Sequence, residues 1–311
     1  MLIELYFQVG AAVIDLFQIT DAKLSPLAKV APKLEREIQR LLETNLETVF
    51  GIRFVASEFS TGPKHAGRID TLGLDENDTP VIIEYKLTSG VNVVTQGLFY
   101  LDWLLDHKGD FEILVKKHLG SRTDIDWTEP RVMCVAESFS PYDLSAVERM
   151  GLALQLVQFK LYESGLLLIS VVRGARGAKA KKQATAKPPV ASGSVQEHLE
   201  RAKGPMRKIA EELRNYLLEL GADVSEARNR EYVAFRTTRN FCCLEVHQMH
   251  ILLHLRLDPS LGEGCSICSD VTGIGHFGTG NLRVRVSGPE DVPDAKRFMA
   301  LAYEAASGSL T

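Results

Sequence analysis

The chain has little cysteine, no long apolar run and no surplus of positive charge, and each shortage removes a class of protein. Five cysteines, an odd number at uneven spacing, give no disulfide framework, so a reducing cytoplasm is the expected compartment. No run of 18 apolar residues occurs, so no membrane span is expected. The opening stretch MLIELYFQVGAAVIDLF lacks a basic flank and a small-residue cleavage site, and reads as a buried strand or helix rather than a secretion signal. Lys and Arg number 36 against 40 Asp and Glu, a formal charge of −4. That balance argues against a coat for nucleic acid, but not against one basic groove.

With 311 residues and 45% hydrophobic content, the chain has enough apolar surface for two cores. Acids are absent from residues 173–194, where six basic side chains and two adjacent prolines occur with almost no bulky apolar residue. This composition reads as a tether, and also suits an arm that touches phosphates. It divides the chain into residues 1–172 and 195–311, with no convincing internal repeat.

The first part reads as a helix over 32–46, strands near 52–59, 69–74 and 81–87, and a helix over 91–105. A strand at 132–136, a helix over 143–158 and a strand at 166–172 complete it. This is an α/β domain with a mixed sheet. The second part opens with helices near 196–203 and 205–220. Alternating segments at 232–237, 242–247, 251–257 and 282–286 follow, and a helix over 293–306 closes a small α+β domain.

The strongest chemical signal lies in GRIDTLGLDENDTPVIIEYKLTSGVNVVTQ, residues 67–96. In a strand, alternate residues share a face, which puts Glu84 and Lys86 side by side. A hairpin turn around residues 75–80 brings Asp70 back to them. Glu84 sits inside the apolar run VIIEYKL, where a carboxylate needs a partner. Two carboxylates and an ammonium at strand ends can hold Mg²⁺ or Mn²⁺ and orient a water for phosphodiester cleavage, with the Tyr85 carbonyl completing the metal shell. On the following helix Gln96 and Tyr100 are four apart, and an amide there could bond a phosphate or the metal-bound water. The bland alternative is a surface ion pair and a helix whose aromatics are core.

The segments LEREIQRLLETNLETVFGIRFVASEF, GRIDTLGLD, VIIEYK and QGLFYLDWL resemble the PD-(D/E)XK nuclease superfamily, in the branch near NucS/EndoMS-type endonucleases and their DUF91-like relatives. The likeness covers roughly residues 30–110 and implies a restriction-endonuclease-like fold with a metal-dependent nuclease site acting on DNA. It places Asp70 and Glu84 as metal ligands and Lys86 as the catalytic lysine. Gln96 and Tyr100 match the helix glutamine and tyrosine. A glutamate from the preceding helix often joins such sites; Glu37 is the choice, with Glu35 a close alternative and Glu43 a weaker one. Arg68 is a plausible phosphate contact. About 30 residues precede the first helix, too few for the N-terminal DNA-binding domain of those enzymes, so mismatch or branched-DNA recognition is not carried over.

Residues 195–311 resemble a DUF5655-like domain through VQEHLERAKGPMRKIAEELRNYLLELG and CLEVHQMHILLHLRL, which implies no known chemistry; recognition of substrate or of a protein partner, and homodimer formation, are the expectations. His247, His250 and His254, the lone Cys265-x-x-Cys268 and the glycine-rich run 273–281 read as ordinary strand and loop residues rather than a zinc or nucleotide site. The competing expectation for the whole chain is a catalytically silent nucleic-acid-binding or regulatory protein on a nuclease fold.

Overall fold

The computed structural model describes residues 16–87, 93–120, 124–150, 154–163, 165–174 and 195–307. In chain order the N-terminal region carries β1 (Phe17–Thr20), β2 (Lys23–Pro26), β3 (Lys29–Val30), α1 (Glu35–Thr44), α2 (Leu46–Phe50), β4 (Arg53–Ser60), α3 (Gly62–His65), β5 (Arg68–Leu74) and β6 (Pro80–Lys86). It continues with α4 (Val93–Asp106), α5 (Lys108–Leu119), β7 (Arg131–Ala136), α6 (Pro141–Met150), β8 (Leu154–Tyr162) and β9 (Leu167–Gly174). The C-terminal region carries α7 (Val195–Glu200), α8 (Pro205–Glu219), β10 (Ser225–Arg228), β11 (Val233–Arg236), β12 (Asn240–Val246), β13 (Ile251–Leu255), β14 (Cys268–Asp270), β15 (Leu282–Val286) and α9 (Val292–Ala306).

A mixed seven-stranded sheet runs β3-β8-β7-β6-β5-β4, with β9 also paired to β8. The central pairs β6–β7 and β7–β8 are parallel, and β4–β5–β6 is an antiparallel meander. Both faces are covered, which is why the central strands read as continuous apolar runs rather than alternating ones. Val81, Ile83 and Tyr85 share one core with Ile38, Leu42, Leu46 and Phe50 of α1 and α2. Ile82 and its same-face neighbours Val132 and Cys134 on β7 pack with Leu101, Leu104 and Phe111 of α4 and α5. The second sheet, β10-β11-β12-β13-β15-β14, is antiparallel, and its Leu244, Leu253 and Val284 share a core with Leu213 of α8 and Phe298 of α9. The architecture is therefore mixed α/β with a smaller α+β region.

Several boundaries differ from the sequence expectation. The helix expected over 143–158 ends at Met150, and residues from Leu154 form β8. The segment LQLVQFKLY has apolar side chains on both faces because β8 is buried between helices, a pattern that periodicity alone does not separate from a buried helix. α1 begins at Glu35 rather than 32, and its exposed Leu34 and Leu41 leave Ile38 and Leu42 to fill the core. The segment α5, and the short strands β10 and β14, were not anticipated. Phe17 lies exposed on β1 rather than buried, while residues 1–15 fall outside the described residues. Arg173 and Gly174 belong to β9, and the rest of the basic tether, residues 175–194, is outside the described residues.

The β5–β6 hairpin joins the two regions. Its turn is built by Asp75, whose Oδ1 accepts from the backbone N–H of Asn77 and Thr79. The other carboxylate oxygen accepts from Arg131 Nε at 3.1 Å and Arg236 Nη1 at 3.2 Å. Asn77 Oδ1 accepts from Tyr232 Oη at 2.9 Å and Asn240 Nδ2 at 2.6 Å, and its carbonyl accepts from Asn229 Nδ2. Gln155 Nε2 donates to the Thr237 carbonyl, and Arg230 N to Asp126 Oδ2. The C-terminal region thus docks on the turn, at the opposite end of the hairpin from Asp70 and Glu84. Five residues of strand separate Asp70 from Asp75, about 17 Å at ~3.4 Å per residue.

Candidate active site

The backbone ladder between β5 and β6 stops at Thr71 opposite Ile83. Beyond it, side chains take over the bonds that the backbone would otherwise make. Asp70 N donates to Glu84 Oε1 at 3.2 Å, and Tyr85 N donates to Asp70 Oδ2 at 3.0 Å. The strands are held apart by two carboxylates that sit between them. Glu84 is completely buried, and its second oxygen, Oε2, has no hydrogen-bond partner.

Desolvation dominates the electrostatics. Burial pushes the Glu84 carboxyl up to about 9, and the neighbouring Asp70 adds to the rise. Asp70 is also raised, first by burial, against the lowering effect of the Tyr85 N–H and of Lys86. At neutral pH the pair therefore retains a proton. A divalent cation would displace that proton and satisfy the orphaned oxygen. Asp70 and Glu84 fit such an ion through an unpartnered oxygen and mutual repulsion. Among the described residues, however, no group of three or more His, Cys, Asp or Glu side chains is arranged to hold a metal.

Lys86 closes one side of the site. Its Nζ lies 3.3 Å from Glu35 Oε2, and Glu35 Oε1 accepts from the Leu87 backbone N–H. It is thus Glu35 that reaches the lysine, whereas Glu37 bonds the Lys33 N–H at the helix start, on the exposed side. Beneath the pair lies a network of which the sequence pointed only to Glu43, as the weaker alternative for the helix glutamate. Gln39, nearly fully buried, donates from Nε2 to the Asp70 carbonyl at 3.0 Å and to Glu43 Oε1 at 3.1 Å. Glu43 accepts from Thr71 Oγ1 at 2.5 Å. α1 thereby fixes the backbone that carries Asp70. Tyr85 sends its phenol into the core shared with α1, where the hydroxyl is buried without a hydrogen-bond partner.

The third side is α4. Gly97 lets this helix approach the sheet: a Cβ there would lie 2.5 Å from Val132 Cγ1. The approach brings Tyr100 to the strand ends, where its hydroxyl accepts from Arg68 N at 3.1 Å and lies 3.4 Å from Gln96 Nε2. Gly67 is needed because a Cβ would meet the Tyr100 ring at 2.6 Å. Tyr100 and Trp103 are buried and Phe99 is 45% exposed. Arg68 is two-thirds exposed and pairs through Nε with Glu58 Oε2 at 2.6 Å. Glu58 is the other residue that the sequence did not announce. It faces Asp70 across β4 and β5, between the pairs Ser57–Thr71 and Phe59–Ile69, and its φ of 53° lies in the left-handed region.

The remaining candidates lie elsewhere. His247 stacks on His250, and His254 packs against His276. Cys265 and Cys268 are in contact, while Cys134, Cys242 and Cys243 are buried. No helix among the described residues is long and apolar enough to cross a membrane.

Comparisons agree with parts of this picture. Residues 195–306 match the family described as Domain of unknown function (DUF5655). An uncharacterized protein of Haemophilus influenzae is 26% identical over 284 residues, covering 87% of this chain and 93% of that protein. Two solved structures, an EndoMS–double-stranded DNA complex and a repair endonuclease from Pyrococcus abyssi, each share 22% identity over 42% of this chain. Their TM-scores are 0.30 and 0.28, too low to bear on fold or function, and the matches span about half the length of those chains.

Proposed function

We propose that this chain is a divalent-metal-dependent phosphodiesterase acting on DNA, with Asp70 and Glu84 as the metal ligands. The observation that carries the reading is the orphaned, fully buried Glu84 Oε2 beside a second desolvated carboxylate. A fold gains nothing from such a pair unless a cation joins it. When bound, Mg²⁺ or Mn²⁺ supplies a Lewis acid that lowers the pKa of a coordinated water and offsets charge on the phosphoryl oxygens. Lys86, steered by Glu35, orients the attacking water and balances developing negative charge. Arg68 takes a phosphate of the bound strand, and Gln96 and Tyr100 hold the adjoining oxygen or water. The Tyr85 carbonyl remains the proposed third metal contact, and Glu37 an outer carboxylate at the helix start.

The position of the C-terminal region supports a role away from the carboxylate pair. Docked on the 75–79 turn, it would lengthen the footprint on DNA or receive a protein partner rather than line the reacting phosphate. We take 1–172, 173–194 and 195–311 as the functional divisions. A homodimer and a cytoplasmic setting complete the proposal.

A second reading is a silent nucleic-acid-binding protein, favoured by the lack of a three-ligand group among the described residues. One experiment separates the two: labelled single-stranded, duplex and forked DNAs are incubated with Mn²⁺ or Mg²⁺, using the full chain, Glu84→Gln and Lys86→Ala. Cleavage that needs metal and disappears in both variants supports the enzyme. Binding of DNA without cleavage of any form supports the silent protein.

A further inference from the structure

The candidate metal site has two carboxylates that each accept from the other's strand, and a third held off. Glu58 repels both Asp70 and Glu84 and faces Asp70 across β4 and β5, so it lies within Coulomb range of the space between them. Glu58 is tied instead to Arg68, Nε to Oε2, at 2.6 Å. Arg68 is 66% accessible, against 28% for Lys86 and 31% for Glu58. The backbone of Glu58 adds a second observation. A non-glycine residue with φ of 53° inside a strand is strained, and such strain is retained where it aims a side chain.

We infer that Glu58 is the third carboxylate of the metal site, kept from it by Arg68 and released when Arg68 takes a phosphate. This deepens the metal-dependent reading above and rests on it. The arginine fork binds a phosphate bidentately and loses its hold on the carboxylate. The freed carboxylate faces two acids and has one good solution, which is to share their cation. Metal affinity and nucleic-acid phosphate binding are thereby coupled through one ion pair, so the site is completed by its own substrate. Glu58 is a positioning residue until the exchange and a ligand after it.

The test is Mn²⁺ titration of the full chain with and without a short phosphorothioate DNA, read by electron paramagnetic resonance of the free ion and by thermal unfolding. With the DNA bound, Glu58→Gln is expected to weaken Mn²⁺ binding about tenfold, and without it to leave the affinity nearly unchanged. Without DNA, Arg68→Ala is expected to strengthen Mn²⁺ binding severalfold, and that gain must vanish in the Glu58→Gln background, because it acts by freeing this carboxylate. Glu58→Gly separates ligation from folding: glycine relieves the left-handed strain, so the melting temperature holds or rises while Mn²⁺ binding in the presence of the DNA weakens. The inference is overturned if, with the DNA bound, Glu58→Gln binds Mn²⁺ as the unsubstituted chain does, or if the Arg68→Ala gain persists in full without Glu58. Absence of any Mn²⁺ binding by the unsubstituted chain overturns the metal reading itself, and this inference with it.

Discussion

Replacing Glu84 with glutamine should make the metal-free protein more stable above neutral pH. The carboxyl is held at about 9 against an ordinary 4.5, chiefly by burial. A raised acid means that the folded state binds the proton more tightly than the unfolded state, so stability contributed by this group is complete below pH 4.5 and falls as pH rises towards 9. The slope is at most about 1.4 kcal/mol per pH unit. At pH 8 the accumulated penalty is therefore no more than about 5 kcal/mol, and coupling to Asp70 with local relaxation reduces it to ~2 kcal/mol. Glutamine keeps an oxygen for the Asp70 N–H and carries no charge. Glu84→Gln should thus raise the melting temperature by roughly 4 °C at pH 8 in chelator, at ~2 °C per kcal/mol for a chain of this size. At pH 5 the gap should close. Saturating Mn²⁺ should reverse the order, stabilising only the unsubstituted chain. Calorimetric scans at pH 5, 6.5 and 8 read all three effects. A variant less stable than its parent at pH 8, or a gap independent of pH, would refute the reasoning.

Other outcomes follow from the same contacts. Asp75→Ala leaves Arg131 and Arg236 buried without their shared carboxylate and should cost about 3–5 kcal/mol in urea unfolding, with both regions losing structure together. Two separate transitions would show that the regions are independent. Gln39→Ala removes the bond to the Asp70 carbonyl; a loss of about 1–3 kcal/mol and weaker Mn²⁺ binding are expected, with the second absent if Gln39 only packs. Gly97→Ala forces a methyl against Val132 and should destabilise by about 1–3 kcal/mol, which chemical denaturation measures directly.

The part of the site that was legible is the part where a residue violates its surroundings. Glu84 breaks an apolar run, Lys86 follows it at strand spacing, and the DENDT turn returns Asp70 to them. Gly, Asp and Pro punctuation is local chemistry, so the β5–β6 hairpin was readable. What stayed hidden depends on partners remote in sequence. Gln39 looks like a surface position of an amphipathic helix until Asp70 is placed above it. Glu58 reads as an ordinary strand residue, because nothing in sequence encodes its left-handed backbone. Choosing between Glu35 and Glu37 required the pitch at which α1 meets β6. β8 was taken into the preceding helix because an apolar strand buried on both faces has no alternation to betray it. Asn77 and Asp75 looked like turn residues alone, while their second role in docking the C-terminal region arises only from the packing of two sheets.

The most direct test of the central claim is equilibrium Mn²⁺ binding to the full chain beside Asp70→Asn. Saturable binding that is lost in the variant, with release of protons to the buffer near neutral pH, is the expected result, because the ion must displace the proton that Glu84 holds. Binding unaffected by Asp70→Asn, or no binding at millimolar Mn²⁺, would contradict a metal site between these two strands.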